Sequence, residues 1–301
     1  MVFTIPEEAA RIAFYNRETV YGILFRAASE TLLRIARDPR HLGCELGFFA
    51  ILHTWGQNLL HHPHVHCVVP GGGLSPDYER WIACRPGFFL PVRVLSRLFR
   101  RLFLEALQQA FQQGKLHFSG EIEPLKEESA FLESLDRLRR PEWVVYAKPP
   151  LGGAQAALEY LGRYTHRAAL SNDRLLAVGE GEVTFQWKDY RHKHKRNSRR
   201  MTLAAGEFIR RFLIHVLPPR FQRIRHFGFL ANRFRKEKLA LCRKLLAAPV
   251  TGLLPSPAQC LLLLEALAPP PAGCPKCGAG GLLHTTILPA YRWPEAPPDT
   301  S

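Results

Sequence analysis

The chain has 301 residues, enough for one large domain or two smaller ones, and 47% of them are hydrophobic, so a packed core can form. Its seven cysteines are odd in number and irregularly spaced, which excludes a secreted disulfide framework, and its apolar runs are too short to span a membrane. The formal net charge of +15 favours a polyanionic partner.

The excess positive charge lies in one segment, residues 188–244. This segment holds 18 Lys and Arg against three acidic residues, whereas the rest of the chain has 23 residues of each sign and is neutral. A neutral body that carries one basic block predicts a nucleic-acid-binding surface.

The N-terminal region predicts a short strand followed by helices. Pro6, Glu7 and Glu8 place a proline and two acids in a first helical turn, and apolar residues recur at helical spacing through Ile35. We therefore expect one or two amphipathic helices that end near Pro39.

The first ten residues contain no apolar h-region of the kind that signal peptides carry. We therefore expect no signal peptide and a location in the reducing cytosol.

Two apolar segments then predict an antiparallel hairpin. The segment "LGFFAILHTWGQNLL" (46–60) and the segment "VHCVVPGGG" (65–73) both have strand composition, and roughly five residues connect them, a length that favours a hairpin. Further along come a long amphipathic helix that ends at Gly114, a strand "EWVVYAKPP", a helix "GGAQAALEYLGRYTHRAAL", a strand "GEVTFQWKDYRHK" and a helix within "MTLAAGEFIRRFLIHVLPP". This order predicts an α+β fold, an antiparallel sheet with flanking helices, followed by a basic helical C-terminal region.

The stretch "HHPHVH" contains the first candidate site. Side chains alternate along a strand, so His64 and His66 point to the same side, roughly 6–7 Å apart at ~3.3 Å per residue, and can share a metal ion. The same alternation on the preceding strand offers His53 or Gln57 as a third ligand. We favour His53, because imidazole binds borderline metals better than an amide does, and Gln57 remains the alternative. Solvated surface histidines are the competing interpretation.

The segment "EYLGRYTHR" contains the second candidate site. Tyr160 and Tyr164 are four residues apart and share one helix face, so they are either a packed aromatic pair or a pair of phenolic nucleophiles. A phenol with a pKa near ~10 attacks a phosphate only when a cation lowers the barrier. A histidine-bound metal ion would do this by polarising the phosphate, and Arg163 is placed to neutralise it.

Together these motifs resemble a known family. "HPHVHCVVPGGG" followed by "YLGRYTH", with "LHTWGQ", "GFFLPVRVLSRLFRRLF", "WVVYAKPP", "TFQWKDYR", "EFIRRFLIHVLP" and "RIRHFGFLANR" in order, is similar to the two-tyrosine HUH transposases, which move insertion sequences by rolling-circle replication. HUH denotes His, a bulky hydrophobe and His, here His64-Val65-His66. The resemblance extends from about Val2 to Leu246.

The resemblance implies an HUH endonuclease-like fold and a mechanism. His64, His66 and a third ligand would hold Mg²⁺ or Mn²⁺ against a phosphate of single-stranded DNA at the ends of a mobile element. Tyr160 or Tyr164 would attack, leaving a free 3′-OH and a 5′-phosphotyrosine, and the other tyrosine would serve the second cleavage or strand transfer. Members of this family commonly carry a Cys-rich zinc segment before the matching region. This chain has no cysteine before Cys44, so we expect an N-terminally shortened member.

We divide the chain into a helical lead-in packed on the core (1–45), a nuclease core with the tyrosine helix (46–190), a basic DNA-binding extension (191–246) and a Pro- and Leu-rich tail (247–301). Charge within and beside the loop-like "RHKHKRNSRR" predicts phosphate contacts, although most charge runs are only solvated. The candidate DNA-binding residues are Arg163, Lys188, Arg191, Lys193, Lys195, Arg196, Arg199 and Arg200.

The tail contains "CPKCG", in which Cys274 and Cys277 have the spacing of half a zinc site. Cys260 and His284 lie at unconvincing distances for the other two ligands, so the sequence does not favour structural zinc in this chain.

Three functions compete. The leading one is a metal-dependent, tyrosine-nucleophile DNA endonuclease and strand transferase. The second is a catalytically inactive DNA-binding remnant of a mobile element. The third is a metallohydrolase of a small substrate, which would leave the basic block and the tyrosine pair without a role.

Overall fold

The computed structural model describes residues 1–85, 87, 89–148, 162, 169–188 and 198–247. The chain divides into two units, Met1–Ala248 and Pro249–Ser301, and every described residue belongs to the first. In chain order the described helices and strands are β1 (Val2–Thr4), α1 (Glu7–Tyr15), α2 (Arg17–Arg37), β2 (Gly47–Trp55), β3 (His61–Val68), β4 (Gly72–Leu74), β5 (Trp81–Ala83), α3 (Val92–Gln112), a 3-10 helix (Gly120–Lys126), α4 (Glu128–Arg139), β6 (Val145–Tyr146), a second 3-10 helix (Asn172–Arg174), β7 (Leu175–Gly179), β8 (Glu182–Lys188), β9 (Ser198–Ala204), α5 (Ala205–Leu213), β10 (Ile224–Gly228) and α6 (Arg235–Leu245).

The main sheet has five strands in the order β10-β2-β3-β1-β6, and every neighbouring pair is antiparallel. One face is covered by helices, because apolar side chains of β1, β2 and β3 form a single core cluster with those of α1 to α4. Phe3, Leu52 and Val65 lie in this cluster and are fully or almost fully buried. The predicted α+β class, an antiparallel sheet with flanking helices, is confirmed.

The predicted helix boundaries agree with the structure. Helix α1 follows Pro6 and has two glutamates in its first turn, and α2 ends at Arg37, two residues before Pro39. Helix α3 ends at Gln112, and Gly114 beyond it has a φ of +63°. A left-handed backbone conformation there is open to glycine at little cost, which explains why the helix stops where the sequence suggested.

The first predicted hairpin exists, but its turn lies elsewhere. Strand β2 ends at Trp55 and not at Leu60, the turn spans residues 56–60, and the residues "HHPH" belong to β3. Asn58 favours the early turn, because its side-chain oxygen accepts a hydrogen bond from the Leu60 amide at 3.3 Å. The register shifts between the pairs His53–His64 and Trp55–His61. This irregularity accommodates a proline in the strand, since proline has no amide hydrogen for the ladder.

A second sheet has three antiparallel strands in the order β7-β8-β9. Its buried cluster contains Phe185 from β8 and Leu59 from the turn of the main hairpin, so the tip of that hairpin packs into the small sheet. The sequence predicts a loop for the basic stretch 191–200. Its last three residues instead open β9, where alternation with Met201 and Leu203 lets the strand pack on Phe185. The predicted strand "EWVVYAKPP" is reduced to the two residues of β6.

No helix in the described ranges is both long and apolar enough to cross a lipid bilayer.

The domain boundaries proposed from sequence at residues 45, 190 and 246 remain predictions. Strand β1 nevertheless lies inside the main sheet, between β3 and β6, so the first residues of the lead-in share the sheet of the core.

We expect Phe3→Ala to lower the free energy of unfolding by about 3–5 kcal/mol, because it removes a large side chain from a close-packed core. Phe3 is fully buried and its ring contacts that of Phe99 edge-on at 5.1 Å. Urea denaturation of the purified protein measures the change. Val144→Ala is the control: this residue is 64% exposed, and its truncation should shift stability by less than about 0.5 kcal/mol. Equal effects of the two variants would contradict the assignment of Phe3 to the core.

Candidate metal centre

Three histidines meet on the sheet face that points away from the helices. His53 of β2 lies directly opposite His64 of β3, and His66 lies two residues further along β3. Because side chains alternate, Val65 and Cys67 point into the helix-covered core while the two histidines of β3 point away from it. The possible ligand nitrogens of the three histidines all lie within 4.8 Å of one another. We refer to His53, His64 and His66 as the histidine triad.

The spacing of the histidine triad fits one metal ion. The imidazole centroids are separated by 4.5 Å for His53 and His66, 4.9 Å for His64 and His66, and 5.5 Å for His53 and His64. Three nitrogens that share one ion at bonds of ~2.1 Å lie about 3.0–3.6 Å from one another. A shift of about 1 Å or less by each ring therefore brings the nitrogens to ligating distance.

The electrostatic state of the rings also suits metal binding. Burial lowers the pKa of His64 to about 4. Burial, and then the neighbouring imidazoles of His64 and His53, lower the pKa of His66 to about 2. These rings are neutral at pH 7, and neutral imidazole is the form that donates a lone pair to a metal ion.

One ring nitrogen of His64 has an assigned role. Nδ1 of His64 lies 2.7 Å from the carbonyl oxygen of His62, and a carbonyl oxygen only accepts, so Nδ1 carries the proton and donates it. The lone pair of His64 is thereby left on Nε2. A backbone acceptor that sets the tautomer and orientation of a histidine in this way is a common second contact around metal ligands.

Aromatic packing holds His53 in place. Its ring stacks on that of Trp55 at 4.8 Å and 14°, and the side chain of His53 is only 3% exposed. The Arg223 guanidinium lies 5.1 Å from the Trp55 ring centroid and donates to the Leu52 carbonyl at 3.1 Å. The ring of His53 is therefore packed before any ion binds.

The alternative ligand, Gln57, lies beyond the end of β2 in the hairpin turn. The alternation that grouped it with His53 requires a continuous strand, and the strand stops at Trp55. The backbone carbonyl oxygen of Gln57 accepts a hydrogen bond from Nη2 of Arg174 at 2.6 Å. The register of the hairpin thus brings His53 to the pair of histidines on β3.

Three of the predicted DNA-binding residues lie in the described part of the chain, and they divide between two faces of the small sheet. Lys188 pairs with Ser198, Arg199 pairs with Trp187, and Arg200 pairs with Gln186. Alternation then places Lys188 and Arg200 on one face and Arg199 on the face of Trp187. All three side chains are exposed.

The other residues predicted for the site lie outside the described part of the chain. They are Tyr160, Arg163, Tyr164, Arg191, Lys193, Lys195, Arg196, Cys274 and Cys277.

Sequence reasoning missed three residues that contact the hairpin turn, namely Arg174, Arg211 and His215. No local signal marks them, because each reaches a backbone carbonyl more than a hundred residues away. The turn itself could have been placed from the Gly-Gln-Asn sequence at 56–58, which has turn composition.

Comparison with known proteins gives a family. Residues 47–238, which include the histidine triad, match the model of the Y2_Tnp family, described as "Putative transposase". The chain is 55% identical over 304 residues to "Putative transposase y4qJ" of Sinorhizobium fredii, a match that covers all of this chain and 76% of that protein. It is 27% identical over 283 residues to the transposase for insertion sequence element IS801 of Pseudomonas savastanoi pv. phaseolicola, covering 93% of this chain and 65% of that protein. No solved structure matches. Since the family model covers more than half of the chain and the relative from Sinorhizobium fredii is 55% identical across the whole of this chain, the chain belongs to the Y2_Tnp transposase family.

Proposed function

We propose that this chain is a transposase that cuts and rejoins single-stranded DNA at the ends of an insertion sequence, using a divalent metal ion and a tyrosine nucleophile. The observation that carries the proposal is the histidine triad, three imidazoles gathered on one sheet face within the region matched by a transposase family. In this proposal the fold is HUH endonuclease-like, and the protein acts on DNA in the bacterial cytosol.

His53, His64 and His66 are the proposed metal ligands. Three imidazoles would fill three of the six coordination positions around an octahedral metal ion. The other positions are left to oxygen atoms of water or phosphate, the ligands that Mg²⁺ and Mn²⁺ prefer. When bound, such an ion would polarise the scissile phosphate and offset the charge that develops on it. The protein contributes preorganisation, because the His53 ring is already stacked on Trp55 and the lowered pKa values of His64 and His66 keep their rings neutral at pH 7.

The proposed nucleophile is the phenolic oxygen of Tyr160 or Tyr164. It forms a new bond to phosphorus while the bond from phosphorus to the 3′ oxygen breaks. The phenolic proton ends on the departing 3′ oxygen, so the products are a free 3′-OH and a 5′-phosphotyrosine. A phosphodiester replaces a phosphodiester, and the reverse attack by a 3′-OH can therefore join strands without an external energy source. Arg163 would neutralise the phosphate in this step.

The proposed DNA-binding surface lies on the basic segment, and Lys188, Arg199 and Arg200 are the candidate contact residues that the structure describes. Contacts of this kind bind the phosphate backbone without reading sequence, so they supply affinity while the histidine triad acts on the reacting phosphate.

The test of the proposal is incubation of the full chain with Mn²⁺ or Mg²⁺ and an end-labelled single-stranded oligonucleotide that carries the element's end. A covalent protein–DNA adduct that survives denaturing electrophoresis is the expected result. Binding without cleavage would identify a catalytically inactive remnant. Metal-dependent hydrolysis of a small phosphodiester, with no action on DNA, would favour the metallohydrolase.

The tyrosine role leads to a specific prediction. Phe keeps the ring and removes only the hydroxyl, so Tyr160→Phe/Tyr164→Phe should keep the fold and DNA affinity but form no adduct. If the tyrosines were only a packed aromatic pair, each substitution would remove at most one hydrogen bond and lower the free energy of unfolding by about 1 kcal/mol. The double variant would then still cleave DNA. Adduct formation and the melting temperature are measured side by side. A double variant that still attaches a 5′ end to protein contradicts the proposal, and nicking without attachment points to a water nucleophile.

Mn²⁺ binding, measured by electron paramagnetic resonance, can identify the third metal ligand. His53→Ala should weaken binding at least about tenfold, equivalent to ~1.4 kcal/mol, whereas Gln57→Ala should leave it nearly unchanged. The matched control is His62→Ala, because His62 holds His64 through its backbone carbonyl, which the variant retains. The opposite pattern, with loss only in Gln57→Ala, would transfer the ligand role to Gln57.

Salt dependence tests the DNA-binding face. Lys188 and Arg200 share one exposed face of the small sheet, so Lys188→Ala/Arg200→Ala should remove two phosphate contacts and reduce the log–log salt slope for single-stranded DNA by about 1.4. Arg199→Ala, on the face of Trp187, is the comparison and should change the slope less. A larger change in Arg199→Ala would place the DNA on the face of Trp187.

A further inference from the structure

The turn of the β2–β3 hairpin is held by side chains from the region that carries the small sheet. Three successive carbonyl oxygens, of Gln57, Asn58 and Leu59, each accept a hydrogen bond from a distant residue. The donors are Arg174 Nη2 at 2.6 Å, Arg211 Nη1 at 3.4 Å and His215 Nε2 at 3.1 Å. We call these three donors the turn clamp.

Arg174 connects the hairpin turn to the small sheet. While its Nη2 donates to Gln57, its Nε donates to the carbonyl of Gln186 in β8 at 2.7 Å. A guanidinium presents its donors in a rigid planar fork, so one side chain can hold two backbone segments at a set separation. Lysine, with a single nitrogen on a flexible stem, cannot reproduce this geometry.

His215 connects the turn to the strand beside His53. A carbonyl oxygen only accepts, so the ring donates through Nε2 to Leu59 and accepts at Nδ1 from the Thr54 hydroxyl, 3.2 Å away. Thr54 is the residue after His53. His215 is buried, and these two bonds use both of its nitrogens.

The conformation of the turn needs such support. Leu59 has a φ of +61°, a left-handed conformation that non-glycine residues rarely adopt, and its side chain is fully buried in the cluster that contains Phe185. A strained residue of this kind persists only where its surroundings hold it. The turn clamp and the buried side chain together supply that hold.

The turn matters to the histidine triad because of where it lies. His53 and His64 are the last residues to pair before the irregularity and the turn, and the register of a hairpin depends on its turn. Fraying from this end would move His53 relative to His64 before it reached the pair at Ile51 and His66.

We infer that Arg174 and His215 are positioning residues for the metal ion: by holding the 56–60 turn on the small sheet, they keep His53 opposite His64 at ligating distance. This inference rests on the proposed metal-binding role of the histidine triad. It makes the small sheet part of the machinery that shapes the metal site as well as part of the proposed DNA surface.

The test measures Mn²⁺ affinity of the full chain in Arg174→Ala and His215→Phe. Each variant should raise the dissociation constant about tenfold or more, the usual effect of removing a supporting contact around metal ligands. Arg174→Lys, which can keep one of the two bonds, should lie between Arg174→Ala and the wild type. Arg139→Ala is the matched control, since this arginine pairs with Asp136 on its own helix, α4, and its dissociation constant should stay within twofold of wild type.

Circular dichroism and melting temperature identify which variants are folded, and one folded variant of the two is sufficient. Wild-type Mn²⁺ affinity in a folded Arg174→Ala or His215→Phe would overturn the inference. Failure of both to fold at 10 °C would also overturn it, because the turn clamp would then serve the fold itself. A wild-type chain that binds no Mn²⁺ would refute the metal role in the proposed function, and with it this inference, whereas unchanged variants beside a binding wild type refute the inference alone.

Discussion

The structure depends on the pairing of His53 with His64 across the β2–β3 hairpin. Because side chains alternate along strands, this register also sends Leu52, Val65 and Cys67 into the helix-covered core. A slip of one residue would bury imidazoles among the helices and expose the aliphatic residues. The fold would then lose the free energy gained by burying several large apolar side chains. The packing energy of the core therefore enforces the geometry of the candidate metal centre on the opposite face.

The position of β3 within the sheet adds rigidity. Strand β1 pairs with its other edge, with Thr4 opposite His64 and Val2 opposite His66, so β3 is hydrogen-bonded on both sides. Ligands carried by a central strand are held more accurately than ligands carried by a loop, which suits a site that must be preorganised. The third histidine comes from the neighbouring strand, and its separation from the other two depends on the register of the β2–β3 hairpin.

The shielded histidine triad and the exposed basic side chains lie in two different parts of the molecule. The histidine triad is mostly shielded from water, and the lowered pKa values of His64 and His66 keep these two rings neutral, which favours metal ligation over electrostatic attraction of DNA. Positive charge is instead displayed on exposed positions of β8 and β9. The hairpin turn, packed through Leu59 into the cluster of the small sheet, joins these two parts. In the proposed function, this junction would align the reacting phosphate with the strand that the basic residues bind.

Properties that depend on local periodicity could be predicted from the amino-acid sequence. Alternation placed His64 and His66 on one side, helical spacing and proline and glycine positions bounded α1 to α3, and the ordered motifs indicated a transposase family that the comparisons confirm. The tyrosine chemistry remains a prediction. That His53 and not Gln57 lies opposite His64 became visible in the folded hairpin, because this pairing depends on where the turn falls and on a register shift near a proline. The tertiary structure alone separated Arg199 from Lys188 and Arg200, since their faces depend on residues 198–204 pairing as a strand. It alone revealed Arg174 and His215 at the turn, 117 and 156 residues from their acceptors. The physical reason is the same in each case: a local pattern fixes the direction of a side chain within its own strand or helix, whereas the partner that it meets is selected by contacts between distant segments of the chain.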